Sequence, residues 1–499
     1  MAFSDLHDFI KYLENNGELI RVKQPISTVL EMTEIQTRLL SESGPAVLFE
    51  RPINADGNES DIPVLINLFG TMERVAMGLN KKPEDLRELG KTLAFLRQPE
   101  PPEGWRETIN MIPLLKKVLS MKPSKINSGA CQQIILKDSD VDLTKLPVQT
   151  CWPNEPAPLF TWPLVISKGS NEKYNLGIYR MQLLNRNTVI MRWLKHRGGA
   201  QHFLDWKKNN PGTPMPIAVS IGTDPATLIA AVTPTPESLS EYQFAGFLKE
   251  KKLELVKAIT VPIHVPANSE IVLEGHILPE SEADEGPYGD HTGYYNSVEK
   301  FPIFKVSAIT MKKKPVYLST FTGRPPDEPS ILGEALNEVF IPLIQQQFPE
   351  IIDFWLPPEA CSYRVAVVSI NKSYPGQAKR IMMGVWSYLK QFMYTKWIIV
   401  VDEDINIRDW KDVIWAISTR MDPSRDITII ENTPIDYLDF ASTQDGLGSK
   451  IALDATNKQY PETTRTWGSK IKMQKNIIEL IDTKWDKLGL PGKGKSIWK

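Results

Sequence analysis

A mixed α/β protein is predicted: an N-terminal α/β region, a β-rich central domain, a C-terminal α/β domain on a mainly parallel sheet, and a C-terminal helical tail. Three observations predict it. The 499 residues exceed the size at which one hydrophobic core keeps growing. From about 133 to 320 the chain is dense in short β-prone runs separated by turn-rich pieces. Beyond about 330, helical and strand-like segments alternate in the order that βαβ units require. The expected divisions are 1–120, 121–325, 326–460 and 461–499.

At the N-terminus, Leu6, Phe9, Ile10 and Leu13 share one face of a helix over residues 4–16, with Ser4 or Asp5 as cap and Asn16-Gly17 as stop. A strand Glu18 to Val22 follows. The Pro-rich RQPEPPEGW near 97 to 105 suits a surface connection. In the centre, LVISK, TVIMRWL, PIAVSIG, EIVLEGHIL and PIFKVSAITM read as strands, and Pro234-Thr235-Pro236 breaks the chain before a helix near Ser240 whose first turn holds Glu241. Further on, the pattern predicts a helix Glu334 to Gln347 kinked at Pro342, a strand Arg364 to Ile370, and a long helix Gln377 to Met393. A strand Trp397 to Val401, a helix Trp410 to Arg420, a strand Ile427 to Glu431 and a tail helix Ile471 to Leu488 complete it.

Composition excludes several function classes. The net charge of -2, from 58 basic and 60 acidic residues, offers no global field to recruit nucleic acid. Cys131, Cys151 and Cys361 are scattered, which argues against a disulfide framework or a thiolate zinc site and fits a reducing cytoplasm. Acidic residues run through the N-terminal segment where a secretory signal would be apolar, and no uncharged run approaches the roughly 18 residues that span a bilayer. Any membrane contact is expected to be peripheral.

Chemistry concentrates in DEGPYGDHTGYYN, where Glu285 and Asp290 bracket a Gly-Pro-aromatic-Gly turn. Such a turn either projects both carboxylates into one cavity, splitting them into an ionised group and a proton donor, or exposes them as a solvated surface turn. In NLGIYR, strand alternation places Leu176, Ile178 and Arg180 on one face and Asn175, Gly177 and Tyr179 on the other. An inward Arg180 needs an anion, from the protein or from a substrate. His196 precedes the flexible Arg197-Gly198-Gly199, whose backbone N–H groups can approach a phosphate. Asn175, His196 and Glu241 form an N/O donor set suited to Mn2+ or Mg2+ bridging a phosphate. Two other matches carry less. GLPGKGKS at Gly489 to Ser496 fits the phosphate-loop pattern without a preceding strand or a following helix, and Asp402-Glu403-Asp404 reads as a solvated loop.

NLGIYR, MRWLKHRGG, LSEYQFAG, EGPYGDHTGYYN, TGRPPDEP, KRIMMGVWSYLKQFMYTK, WAISTRMDP and ENTPIDYLDFAS together give the chain a resemblance, over nearly its whole length, to the UbiD family, in particular to its 3-polyprenyl-4-hydroxybenzoate decarboxylases of ubiquinone biosynthesis. The resemblance implies a split-barrel flavin-binding central domain and a C-terminal oligomerisation domain. It implies prenylated FMN as cofactor, Mn2+ at its phosphate and K+ as a further ion, with Asn175, His196 and Glu241 as metal ligands. Ile178, Tyr179, Arg180, Arg192, Trp193, Leu194, Arg197, Gly198 and Lys390 match cofactor-binding positions, and Arg180, Glu285 and Asp290 match the catalytic set. The implied partners are an aromatic acid with a polyprenyl tail, a flavin prenyltransferase as cofactor supplier, and further copies of the chain as dimer or hexamer. The implied location is cytoplasmic, peripheral at the inner face of the cell membrane. Alternatives are another aromatic or α,β-unsaturated acid as substrate, or a non-catalytic flavin-binding scaffold.

Overall fold

Two long strands, Ile271–Glu285 and Glu299–Met311, are the spine of the computed structural model, which describes residues 2–97, 117–169, 172–195, 197–233, 239–388, 390–492 and 494–496. They pair antiparallel from Ile271↔Met311 to Glu285↔Glu299, with register shifts at Glu274/Gly275 and Ile277/Glu282 that bend the ribbon. Gly275 permits the close approach: a Cβ there would lie 2.0 Å from the Lys305 carbonyl oxygen.

The spine belongs to a sheet whose spatial order is Tyr174–Ile178, Leu164–Lys168, Met215–Ile221, Ile271–Glu285, Glu299–Met311, Thr188–Met191, Met181–Asn185, Leu159–Phe160, with Ile134–Lys137 added beside Glu299–Met311. Met215, Ile217, Val219 and Ile221 enter one hydrophobic cluster and Ala218 the other, as in a strand buried on both faces. Tyr174–Ile178 lies at one end of that order and Met181–Asn185 next to the other, beside Leu159–Phe160, yet only Tyr179 and Arg180 connect them. The sheet therefore curls into a half-barrel, with Arg180 where its ends meet. The strand expected through NLGIYR stops at Ile178, so the crossing rather than the pleat aims Arg180 inward.

Around this lie two further layers. The helix Leu6–Asn15 is capped by Asp5, whose carboxylate accepts from Asp8 N at 2.9 Å, and buries Leu6, Phe9, Ile10 and Leu13 as expected. A four-stranded sheet orders Leu19–Val22, Ala46–Phe49, Val64–Ile66 and, from far along the chain, Tyr317–Leu318. The C-terminal sheet orders Ile351–Trp355, Val365–Ile370, Trp397–Asp402, Leu447–Ala455 and Ile427–Pro434; its three central strands are parallel and both edges antiparallel. The edge strand Ile351–Trp355 and the strand Leu447–Ala455 were not anticipated.

Helix Glu328–Gln347 starts before its expected position because Asp327 caps it and Pro329 suits a first turn; it passes through Pro342. The long helix expected over Gln377 to Met393 instead ends at Tyr388 and is followed by a 3-10 turn Lys390–Tyr394. The tail contains the exposed helix Lys475–Lys484 and the turn Trp485–Leu488. Pro234-Thr235-Pro236 and residues 98–105 lie outside the described residues. Among the described residues, no helix is long and apolar enough to cross a membrane.

Candidate active site

The connection between the two spine strands, residues 286–298, carries the acid motif. Its turn is held by the Gly289↔Tyr295 bridge and by Asn296 N donating to Tyr288 O at 3.0 Å. Gly286 takes φ +93°, a conformation glycine adopts without strain, and its N–H donates to Gln182 Oε1 at 3.0 Å. Tyr288 is buried and its hydroxyl donates to Ala157 O at 2.9 Å. The turn is thus packed from both sides. Neither carboxylate is solvated: the Glu285 side chain is 0% exposed and that of Asp290 14%.

Arg180 holds the two acids. Nε donates to Glu285 Oε1 at 2.7 Å and Nη2 to Oε2 at 3.2 Å, a bidentate pair; Nη1 reaches Asp290 Oδ2 at 3.2 Å, and Nη2 also reaches Asn296 Oδ1 at 2.8 Å. Its guanidinium lies 5.2 Å from the Tyr288 ring centroid. The anion that Arg180 required is therefore supplied by the protein. Glu285 also accepts from Arg192 Nη1 at 3.0 Å, so two arginines share one buried carboxylate.

The C-terminal unit closes the site. Arg192 Nη2 bonds the Tyr437 hydroxyl and the guanidinium lies over the Phe301 and Tyr437 rings. His291 Nδ1 is 2.8 Å from Asp290 Oδ1, and His291 Nε2 is 3.8 Å from Asp436 Oδ2. Tyr294 and Phe440 meet edge-on at 6.0 Å, both largely exposed.

Burial opposes ionisation of Asp290, but the hydrogen bond with His291 and the charges of Arg180, His291 and Arg192 outweigh it and hold the carboxyl well below its usual range. Burial likewise disfavours the His291 cation, and Asp290 and Asp436 more than offset this, raising the imidazole above its ordinary value. Burial lifts Glu155 to about 7 against hydrogen bonds from the Trp152, Cys151 and Gly289 amides. Burial also moves the Tyr437 hydroxyl up to about 12, with Arg192 opposing.

Asn175 and Glu241 converge on a second locus nearby. Glu241, first residue of the Ser240-capped helix Glu241–Lys249, accepts from Leu176 N at 3.1 Å, beside Asn175. Arg197-Gly198-Gly199, expected to be flexible, caps and begins the helix Gly198–Asn209. Gly199 N donates to Tyr179 Oη at 3.2 Å, and Trp193 is buried with an unpartnered Nε1 facing Gly199. Ile178 packs against the core, Leu194 is half-buried and Arg197 exposed. His196 lies outside the described residues, and of Lys390 only the backbone is described.

Oxygen donors on Asn175 and Glu241, an orphaned indole N–H and a helix N-terminus fit a metal-bridged phosphate group. Among the described residues no group of three or more His, Cys, Asp or Glu is placed so that it could hold a metal ion. A Cβ at Gly198 would lie 2.0 Å from Asn175 Oδ1, so Gly198→Ala is expected to displace that amide, read as a shift of the Asn175 side-chain signals in NMR of the purified protein.

Of the two weaker sequence matches, the acidic one has a structural role. Asp402 and Asp404 are tied by Arg420 at 2.7 and 2.8 Å, with Lys470 on Asp404 at 2.7 Å. A helical turn, not a strand, leads into Gly489. Conversely, Asn296, Gln182, Glu155, Asp436 and Tyr437 had no assigned role, and Arg192 pairs with Glu285. Asn296, Asp436 and Tyr437 fall inside the quoted motifs, but their chemistry depends on contacts between distant segments.

Models of three domains match the chain: the 3-octaprenyl-4-hydroxybenzoate carboxy-lyase N-terminal domain over residues 10–93, the Rift-related domain over 123–325, and the C-terminal domain over 330–455. Similar solved structures include the UbiD-class enzyme HmfF from Pelotomaculum thermopropionicum in complex with FMN, at 27% identity over 93% of this chain and 97% of that one, TM-score 0.76. Sedimentibacter hydroxybenzoicus vanillic acid decarboxylase in its closed form shares the fold at 24% identity, covering 98% of this chain and 99% of that one, TM-score 0.82. Klebsiella pneumoniae 3,4-dihydroxybenzoic acid decarboxylase does so at 22%, covering 95% and 98%, TM-score 0.76. With all three domain models matched in order, and a half-barrel that brings Arg180, Glu285 and Asp290 together, the chain belongs to the UbiD family of carboxy-lyases.

Proposed function

We propose that the chain decarboxylates 3-polyprenyl-4-hydroxybenzoate to 2-polyprenylphenol and CO2, using prenylated FMN whose phosphate is tied by Mn2+ to Asn175, His196 and Glu241. The observation that carries the reading is the buried Arg180 held between Glu285 and Asp290. CO2 loss from an aromatic carbon leaves an in-plane electron pair that the ring cannot delocalise, and the cofactor's chemistry is to accept that carbon covalently and take up the electrons. The chain's residues supply the rest. Glu285 fixes Arg180 and Arg192 as an oriented cationic wall that favours an incoming carboxylate, and Asp290 brings the replacing proton to the ring carbon. A closed, largely buried cluster limits competition from water.

The polyprenyl substrate is supported by the extended motif resemblance and by the exposed Tyr294–Phe440 pair beside the acid turn, a surface suited to an apolar tail. Such a tail resides in lipid, so the enzyme is expected to meet it at the inner face of the cell membrane. A second reading keeps the site and changes the acid: similar folds occur in decarboxylases of vanillic acid and 3,4-dihydroxybenzoic acid, which lack the tail.

Co-expression with a flavin prenyltransferase tests the proposal. The purified chain should carry a flavin with the mass and ultraviolet-visible spectrum of prenylated FMN, and release CO2 faster from the 3-polyprenyl acid than from 4-hydroxybenzoate. Absence of any bound flavin would overturn it; equal rates would favour the second reading.

A further inference from the structure

Asp290 poses a difficulty for proton delivery. Two arginines and an imidazole hold it ionised, so at rest it has no proton to give. The geometry around it shows where one is stored. His291 Nδ1 sits 2.8 Å from Asp290 Oδ1, which also accepts the His291 backbone N–H at 2.8 Å. The other ring nitrogen faces Asp436 Oδ2 at 3.8 Å, and Asp436 is in turn held by Arg364 Nη2 at 3.3 Å and by Leu438 N, which donates to its Oδ1 at 3.0 Å. His291 is largely buried, with a side chain 20% exposed, and Asp436 is 7% exposed.

We propose that His291, acting through Asp290, is the proton reservoir of the decarboxylation, and that Asp436 from the C-terminal unit keeps it charged. The inference rests on the decarboxylase reading above. The balance is simple. The ring-carbon to carboxylate bond breaks, CO2 leaves, and the electron pair of that bond ends in the new ring-carbon to hydrogen bond. His291 Nδ1–H passes its proton to the ionised Asp290 carboxylate, which delivers it to that carbon and is left ionised again. The neutral imidazole then recovers one proton from solvent, so each turnover consumes one proton and leaves the protein unchanged.

The charged groups facing His291 are Asp290 on its own turn, Asp436 and Arg364 on the C-terminal unit, and Asp327 at the start of helix Glu328–Gln347. Three carboxylates against one guanidinium favour the imidazolium, and its raised pKa agrees. Because Asp436 and Tyr437 belong to one connection, docking of that connection on the acid turn adds to the stabilisation of the His291 cation that Asp290 supplies. His291 is a positioning and relay residue rather than a catalytic one, since it touches Asp290 and not the substrate.

Histidine-selective NMR on the chain without cofactor or substrate should place the His291 titration above the ordinary imidazole value, near 6.5. Asp436→Asn should lower that midpoint by about one unit. In the cofactor-loaded enzyme, His291→Asn keeps a hydrogen-bond donor at the Nδ1 position but no titratable proton. Its kcat should fall about 10²-fold with little change in KM, and the alkaline limb of the kcat profile should disappear. Asp436→Asn should move that limb down in step with the NMR midpoint.

A His291 midpoint at or below the ordinary value, no movement of it in Asp436→Asn, or rescue of wild-type kcat by Asn at position 291 would overturn the proposal. If the loaded protein released no CO2 from any aromatic acid, the decarboxylase reading would fall. The NMR titration would still decide whether His291 is coupled to both carboxylates.

Discussion

Asp290→Asn is expected to lower kcat by about 10²–10⁴-fold, the usual range for loss of a positioned general acid, while bound cofactor and fold are retained. The amide matches the carboxylate in shape and still offers an acceptor to Arg180 Nη1, 3.2 Å away, so the turn should keep its geometry. What it loses is the capacity to carry a proton between His291 and the ring carbon. CO2 release at saturating substrate, together with flavin absorbance of the same preparation, separates the two effects. Full activity would remove Asp290 from the acid role. The substitution also changes acid stability. Because the folded-state pKa is depressed, ionised Asp290 stabilises the fold above its unfolded value of about 3.9, and this contribution is lost as pH falls toward the folded value. The variant should show less acid-side loss of stability than the parent.

Glu285→Ala should have the larger structural cost. Glu285 is fully buried and pairs with Arg180 through two hydrogen bonds and with Arg192 through a third. Truncation leaves two guanidinium groups in a low-dielectric pocket with fewer partners, and removing one member of a buried ion pair costs about 3–5 kcal/mol. Denaturant unfolding should register a loss of that order, with turnover abolished because Arg180 is no longer oriented. Glu285→Gln retains an acceptor and some shape, so it should unfold at intermediate denaturant. Equal stability of Glu285→Ala and parent would show that the arginines are hydrated and that the buried cluster is not the organising feature of the site.

Local patterns made much of the scaffold legible. The Leu6, Phe9, Ile10 and Leu13 stripe, the helix start near Ser240 with Glu241 in its first turn and the Trp410–Arg420 helix are set by residues within a few turns of one another, and each appears as expected. The acid turn was visible as a motif but not as a buried one. Spacing alone admits a solvated turn, and burial comes from Tyr288 and Asn296 packing under Arg180, which arrives from across the sheet. The curl of the sheet was hidden for a related reason. Strand alternation describes a continuous NLGIYR strand, whereas the chain leaves one sheet end at Ile178 and re-enters at Met181, one strand in from the other end. The links of His291 with Asp436 and of Arg192 with Tyr437 join segments far apart in the chain. No local signal encodes them, although the motif ENTPIDYLDFAS marks where one half lies.

The measurement that bears most directly on the Arg180–Glu285–Asp290 cluster is decarboxylation of 3-polyprenyl-4-hydroxybenzoate in D2O by the cofactor-loaded chain, counting CO2 and ring deuterium together. One deuterium at the vacated carbon per CO2 is expected from the parent, and about 10²–10⁴-fold less of both in the same time from Asp290→Asn with its cofactor still bound. No CO2 from the loaded parent, or parent-like deuteration by Asp290→Asn, would contradict the assignment.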